Sequence, residues 1–379
     1  MTPRPSSPPR NAAVHLAGRH RSRGFSLIEL MVAVVLGIIV TLGIITVFAG
    51  TQESLTTVRG QARIQENGRY ALDFMSRALR ATGYLGCVST RVTVFNALGV
   101  PVTAIPFGAR ITEPLFSFQA TSPAIPSSGT DGNPGTWSPA LNDATSGLPT
   151  AGAGAIDIAT IRPGTDVLVV RSASNEALRF NASQGAANAN LVVQAPTDPT
   201  RFANGTVVLV SDCNKATVFQ ISTATVGGPN LTVQHHVGGP APGNAGEVLT
   251  ENADSFFDLD STLYRVSSSV FYIAPGAGTN NRNAQTWSLW RQTDSAAPVE
   301  LVEGVHDLQL RYGVDLDDDG IPNAYQTFQE VTPAQRASIV MVRVTVGTDS
   351  VDAVSTTNGG TAVLNRNFNA TVAVRNRVL

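Results

Sequence analysis

Few residues in this chain could do chemistry. Asp315, Asp317 and Asp319 place three carboxylates at alternate positions, and Gly320 follows them. Hard oxygen ligands at positions one, three and five, with glycine at six for a sharp turn, open a calcium loop. The backbone carbonyl of Ile321 and the side chain of Asn323 would follow as further ligands. Position twelve is Gln326 rather than a bidentate glutamate, and the flanks read as strands rather than paired helices. The competing reading is a solvated turn. A bound calcium ion would stiffen the loop rather than take part in a reaction.

Beyond the N-terminal basic stretch the histidines are His235, His236 and His306. Adjacent residues of a strand point to opposite faces, so His235 and His236 cannot form a metal site by themselves. No His-Glu-x-x-His, Gly-x-Ser-x-Gly or phosphate-cradling glycine loop is present. The chain therefore reads as no enzyme, with no cofactor required and calcium as the one candidate ion. Trp137, Trp287 and Trp290 could line a carbohydrate surface, although core and sheet-face positions are commoner for tryptophan. The net charge is −2 and Lys215 is the single lysine, so there is no broad basic footprint and no nucleic-acid partner is expected.

The elements that must carry these residues begin with an apolar run from Phe25 to Ala49, interrupted by Ser26, Glu29, Thr41 and Thr46. A helix of that length spans a bilayer core. Arg19, His20, Arg21 and Arg23 precede it, which keeps residues 1–24 cytoplasmic and exports the rest. A carboxylate within such a segment costs roughly 2.5–3.5 kcal/mol on insertion scales, which makes Glu29 a functional-site candidate. A cut between Gly24 and Phe25 would separate the basic leader from the apolar core and leave the anchor on the mature chain; the alternative is an uncleaved single-pass anchor.

The helix continues on pattern. Thr51 to Thr82 contains no proline, and Ile64, Ala71, Leu72, Met75, Ala78 and Leu79 recur at helical spacings, with Gly83 as the stop. Residues 25–83 thus form one helix, with 25–49 in the membrane, and residues 84–379 form the head. Strand-like runs rich in β-branched residues recur at 166–170, 206–210, 216–221, 231–234, 269–273, 286–291, 308–312, 339–346 and 369–375. With no helices alternating between them, the expectation is an α+β chain with a large antiparallel head. The stretch 121–155, dominated by Pro, Ser, Gly, Thr and Ala, reads as an irregular surface excursion.

The string Gly24-Phe25-Ser26-Leu27-Ile28-Glu29-Leu30 resembles the type IV prepilin signature shared by pilins and type II secretion pseudopilins. The resemblance implies a prepilin peptidase that cuts after Gly24 and N-methylates Phe25. It also implies that Glu29 pairs with the N-terminal amine of a neighbouring subunit, and that the fold is type IV pilin-like, with the long helix packed on the head. Within that family the chain is most similar to PilW-type minor pilins, through Arg63–Cys87, Gly164–Val170, Ser211–Cys213 with the strand after it, and Thr371–Leu379. The implied function is a structural subunit of pilus assembly and the tip complex. Its implied partners are other minor pilins, the major pilin and the inner-membrane assembly platform. The implied location is the inner membrane with the head in the periplasm, then the pilus surface. Major pilins usually carry a helix-breaking proline in this helix, and this chain has none. A type II secretion pseudopilin and a pilus-carried adhesin or ligand-binding module are the alternatives.

That location favours oxidised thiols, so Cys87, after the helix, and Cys213, after a strand, are read as a structural disulfide. Two buried thiols are the alternative. Without a Cys-x-x-Cys there is no redox motif.

Overall fold

The computed structural model describes residues 26–88, 94–101, 104–121, 136–143, 147–150, 154–251, 255–355 and 360–377. Helix α1 runs from Leu27 to Ala81. Its two halves follow different rules, and the chain divides accordingly into a unit ending at Leu55 and a unit from Thr56 onward. In the first half every side chain is exposed, and from Leu30 to Ala49 the only polar ones are Thr41 and Thr46; the helix is long and apolar enough there to cross a membrane. The hydroxyls of Thr41, Thr46 and Thr51 donate back to the carbonyls of Gly37, Gly43 and Val47 at 2.7–2.8 Å. Such back-bonding lets a hydroxyl sit in hydrocarbon without an unpaired donor.

In the second half one stripe turns inward: Gly60, Ile64, Gly68, Ala71, Met75 and Leu79 are buried at spacings of three and four. Two of them are glycines, which the apolar pattern does not register. A Cβ on Gly60 would meet Val354 and Ser350 at 3.1 and 3.3 Å, and one on Gly68 would collide with the ring of Phe368. Small residues here let the helix backbone approach a sheet. Gly83 ends the helix at φ +71° and donates its N–H to the Arg171 carbonyl at 2.9 Å.

The strands are β1 (Val94–Asn96), β2 (Leu115–Ala120), β3 (Trp137–Ser138), β4 (Val167–Arg179), β5 (Leu191–Gln194), β6 (Val207–Ser211), β7 (Ala216–Gln220), β8 (Thr223–Gly227), β9 (Asn230–Gln234), β10 (Thr262–Thr279), β11 (Gln285–Thr293), β12 (Val299–Glu303), β13 (Val305–Val314), β14 (Ala324–Gln326), β15 (Ile339–Asp349), β16 (Val354–Ser355), β17 (Thr361–Ala362) and β18 (Asn365–Ala373). The largest sheet has the order β1-β7-β6-β10-β4-β2-β3, with β11 and β12 branching from β10. It forks because β10 is long: one edge pairs with β4 from Thr262 to Phe271, while the other pairs first with β6 and then with β11. A second sheet has the order β14-β13-β15-β18, and a third β5-β9-β8.

Each of the nine strand-like runs falls on a strand. Among the described residues all strand pairings are antiparallel except β1 with β7, which is parallel, a departure from the all-antiparallel expectation. The alternation in β15 is as expected, with Val340, Val342, Val344 and Val346 buried and Arg343 exposed. The largest hydrophobic cluster joins Ala71, Met75 and Leu79 of α1 to residues of β2, β4 and β10 and to β13, β15 and β18. A second cluster lies between β6, β7 and the third sheet, and a third covers the opposite face of β6 and β7. The described part of the 121–155 stretch is not confined to the surface: Leu141 and Leu148 are buried in the main core and β3 pairs with β2. Isolated leucines among turn formers carry no periodic signal, so that contribution was not legible.

The close approach at Gly68 generates a stability prediction. Gly68→Val should displace the Phe368 ring and destabilise the folded head by about 1–3 kcal/mol, read as a lower denaturation midpoint in urea. An unchanged midpoint would show that Phe368 is not held against the helix.

Candidate functional site

Gly24 and Phe25 lie outside the described residues. Glu29 lies in the first turn of α1, exposed, where a carboxylate complements the positive end of the helix dipole. It is the one acidic residue between Leu27 and Thr51.

The aspartate loop joins β13 to β14. One oxygen of Asp315 accepts the Asp318 N–H and the other the Gly320 N–H, both at 2.8 Å. Asp319 accepts from the Ile321 N–H at 2.7 Å, and the side-chain oxygen of Asn323 accepts from the Leu316 N–H at 2.5 Å. Asp318 and Gly320 adopt left-handed φ of +61° and +83°. One carboxylate oxygen from each of Asp315, Asp317 and Asp319 falls within 4.8 Å of the others, which suits a hard cation. Asp315 is buried while the other two are exposed. Burial pushes the Asp315 carboxyl up, but hydrogen bonds from Gly320, Asp318, Asp317 and Asp319 together hold it below its ordinary value. Gln326, at the twelfth position, lies on β14 with its side-chain oxygen buried and unpartnered.

Cys87 and Cys213 are bonded to each other, closing a separation of 126 residues between the segment after α1 and the end of β6. In the chain-entropy view a loop of this size contributes on the order of 4–5 kcal/mol. His235 and His236 point apart. His235 is buried edge-on to Phe219 and bonds the Ala189 carbonyl at 3.0 Å, whereas His236 is exposed beside Glu247. The three tryptophans are partly buried against the main core; the indole N–H of Trp137 donates to Thr165 and that of Trp290 to Pro275.

The carboxylate that organises the head was not among the expected site residues. Asp166 is fully buried. It accepts hydrogen bonds from the Gln119 side chain at 2.7 Å, the Ala120 N–H at 2.9 Å and the Leu310 N–H at 2.8 Å. Its own N–H donates to the Leu308 carbonyl at 2.9 Å. Burial pushes its carboxyl up to about 7 against these three bonds, which favour the charged form. The available signal was a lone aspartate heading the apolar run Val167–Val170. Nearby, the Arg162 guanidinium lies 4.5 Å over the Trp287 ring, and His306 Nδ1 is 3.8 Å from Asp349. Burial, with Arg162 adding to it, holds His306 down to about 4, so the His306–Asp349 contact is not an ion pair at neutral pH.

Two family models match the chain. Type IV pilus-assembly protein W matches residues 270–377, and the prokaryotic N-terminal methylation motif matches residues 19–45. Of the segments that suggested the PilW resemblance, Thr371–Leu379 overlaps the first match; 63–87, 164–170 and 211–213 lie outside both. No curated protein and no solved structure was found to match the chain.

The Asp166 hub generates a pH prediction. Its unfolded carboxyl titrates near the ordinary 3.8 and its folded one at about 7, so in this window the folded state retains a proton that the unfolded state has lost. Raising pH through the window therefore removes stability. The stability of wild type relative to Asp166→Asn should fall between pH 4 and pH 7 and level off above. A difference that rises with pH would mean that the three donors keep Asp166 ionised throughout.

Proposed function

We propose, for a chain that is prepilin-like at its N-terminus and PilW-like towards its C-terminus, that it is a non-enzymatic minor pilin that joins other pilus subunits in priming assembly and in the tip complex. The observation that carries this reading is the coincidence of an N-terminal methylation motif at 19–45 with a separate PilW match at 270–377. The long helix with one carboxylate in its first turn supports it.

In this reading prepilin peptidase removes residues 1–24, and the apolar half of α1 holds the subunit in the inner membrane with its head in the periplasm. The assembly platform then extracts the subunit into the pilus. Glu29 meets the N-terminal amine of a neighbour during that step. A carboxylate in hydrocarbon is costly alone and tolerable when paired, so the pairing sets axial register. The β-rich head, type IV pilin-like in its arrangement of helix and sheet, presents its surfaces to the other minor pilins and the major pilin.

The test is a terminal-peptide mass spectrum of sheared filaments and of membranes. Wild type should give a peptide starting at N-methylated Phe25 in the filament fraction. Glu29→Ala should be processed and membrane-inserted yet depleted from filaments. An N-terminus upstream of Gly24 in both fractions would overturn the processing assignment, and normal filament incorporation of Glu29→Ala would remove the pairing role.

The oxygen set of Asp315, Asp317, Asp319, Ile321 and Asn323 is proposed to bind calcium and stiffen the β13–β14 loop. Calorimetric titration of the detergent-solubilised chain should show calcium binding that Asp317→Ala abolishes. A flat wild-type trace would leave the loop as a turn held by its own hydrogen bonds.

A further inference from the structure

Strand β18 ends the second sheet. It pairs with β15 over nine consecutive residues, from Asp349 with Asn365 to Met341 with Ala373, without a register shift. The Val374 N–H donates to the Val340 carbonyl at 2.9 Å, which sets the parity of the ladder. In an antiparallel pair hydrogen-bonded and non-bonded positions alternate. Arg366, Phe368, Ala370 and Val372 therefore direct their backbone groups to β15, whereas Asn367, Asn369 and Thr371 direct theirs away from it. Among the described residues no strand pairs with β18 on that side.

Open edges are usually blunted by shortness, proline, lysine or a bulge. The other strands that end the three larger sheets, β1, β3, β12, β14, β5 and β8, are two to five residues long. β18 has nine residues, no proline, no lysine and no bulge. It is also held rigid from behind: the Phe368 ring lies against Gly68 of α1, and the Arg366 guanidinium sits 5.3 Å over the same ring. A fixed edge reduces the ordering cost of adding a strand.

We propose that the open edge of β18 receives an extended strand from a neighbouring pilus subunit of a different kind, continuing the second sheet across the subunit boundary. This rests on the minor-pilin reading above. Main-chain hydrogen bonds to Asn367, Asn369 and Thr371 supply the attachment. The incoming segment alternates polar residues, facing exposed Asn367, Asn369 and Thr371, with small or apolar ones beside half-buried Phe368 and Ala370.

The parity supplies a test that spares the β15–β18 ladder; of the bonds to β15, Asn369→Pro removes only the side-chain acceptor that the Thr345 hydroxyl meets at 2.6 Å. Asn369→Pro deletes an N–H that points away from β15, so it breaks no existing ladder bond, yet its ring blocks the edge. Asn369→Ser changes the side chain and keeps the N–H. In cells that assemble filaments, the full chain carrying Asn369→Pro should be cut before Phe25 and keep slow amide exchange at Phe368. Its filament-to-membrane ratio should fall about tenfold, as for one lost hydrogen bond with its partner left unmade, while Asn369→Ser matches wild type. Wild-type incorporation of Asn369→Pro, or equal loss with Asn369→Ser, would overturn the proposal. If Asn369→Pro loses protection at Phe368, wild-type amide exchange decides instead. Slowing at Asn367, Asn369 and Thr371 in filaments relative to the solubilised chain supports the edge, and its absence overturns it. The same slowing in the purified chain alone would assign the edge to a second copy and overturn the neighbour. Wild type missing from filaments altogether would instead refute the minor-pilin reading, and this one with it.

Discussion

The head depends on a buried carboxylate. Asp166 stands at the start of β4 and binds β2 through Gln119 and Ala120 and β13 through Leu308 and Leu310, so one side chain ties the largest sheet to the second. Gln119 extends the link by accepting from the Phe328 N–H, and Gln309 adds a bond to the Gly164 carbonyl. A buried group with three donors converging on it is expensive to leave half-satisfied. That cost favours this one apposition of the sheets over other packings of similar valine-rich strands.

Around this hub the hydrophobic core is built by shape. The inward stripe of α1 mixes small residues with Ile64, Met75 and Leu79, so the helix backbone comes close to Ser350 and Val354 at Gly60 and to Phe368 of the second sheet at Gly68. The same packing that buries the helix fixes Phe368, and through it the last strand of the sheet. Stability of the head and readiness of its open edge thus share one contact.

Buried polar groups also tie loops to strands. Arg171 is fully buried and donates to the carbonyls of Phe107 and Glu113, with its guanidinium 4.7 Å over the Phe107 ring. Burial lowers its pKa to about 9, which leaves it charged at neutral pH and usable as a fixed donor to two loop carbonyls. The disulfide Cys87–Cys213 does similar work covalently, tying the segment after α1 to β6.

By itself the sequence determined what local periodicity and short motifs can encode. The apolar run with its single carboxylate, the helix up to its glycine stop, the nine strongest strands and the aspartate turn all rest on neighbours within a few positions. Only tertiary structure decided the rest. Gly60 and Gly68 fall outside the apolar pattern and prove to be contact surfaces, because a glycine's role depends on what approaches it. Asp166 looked like the edge of a strand and proves to be a junction, because its three donors come from β2 and β13, remote in sequence. Short strands such as β3 and β14, and buried Leu141 and Leu148, lack any period of their own. The open edge of β18 is likewise invisible in sequence, since which strand ends a sheet follows from long-range pairing that local propensity does not specify.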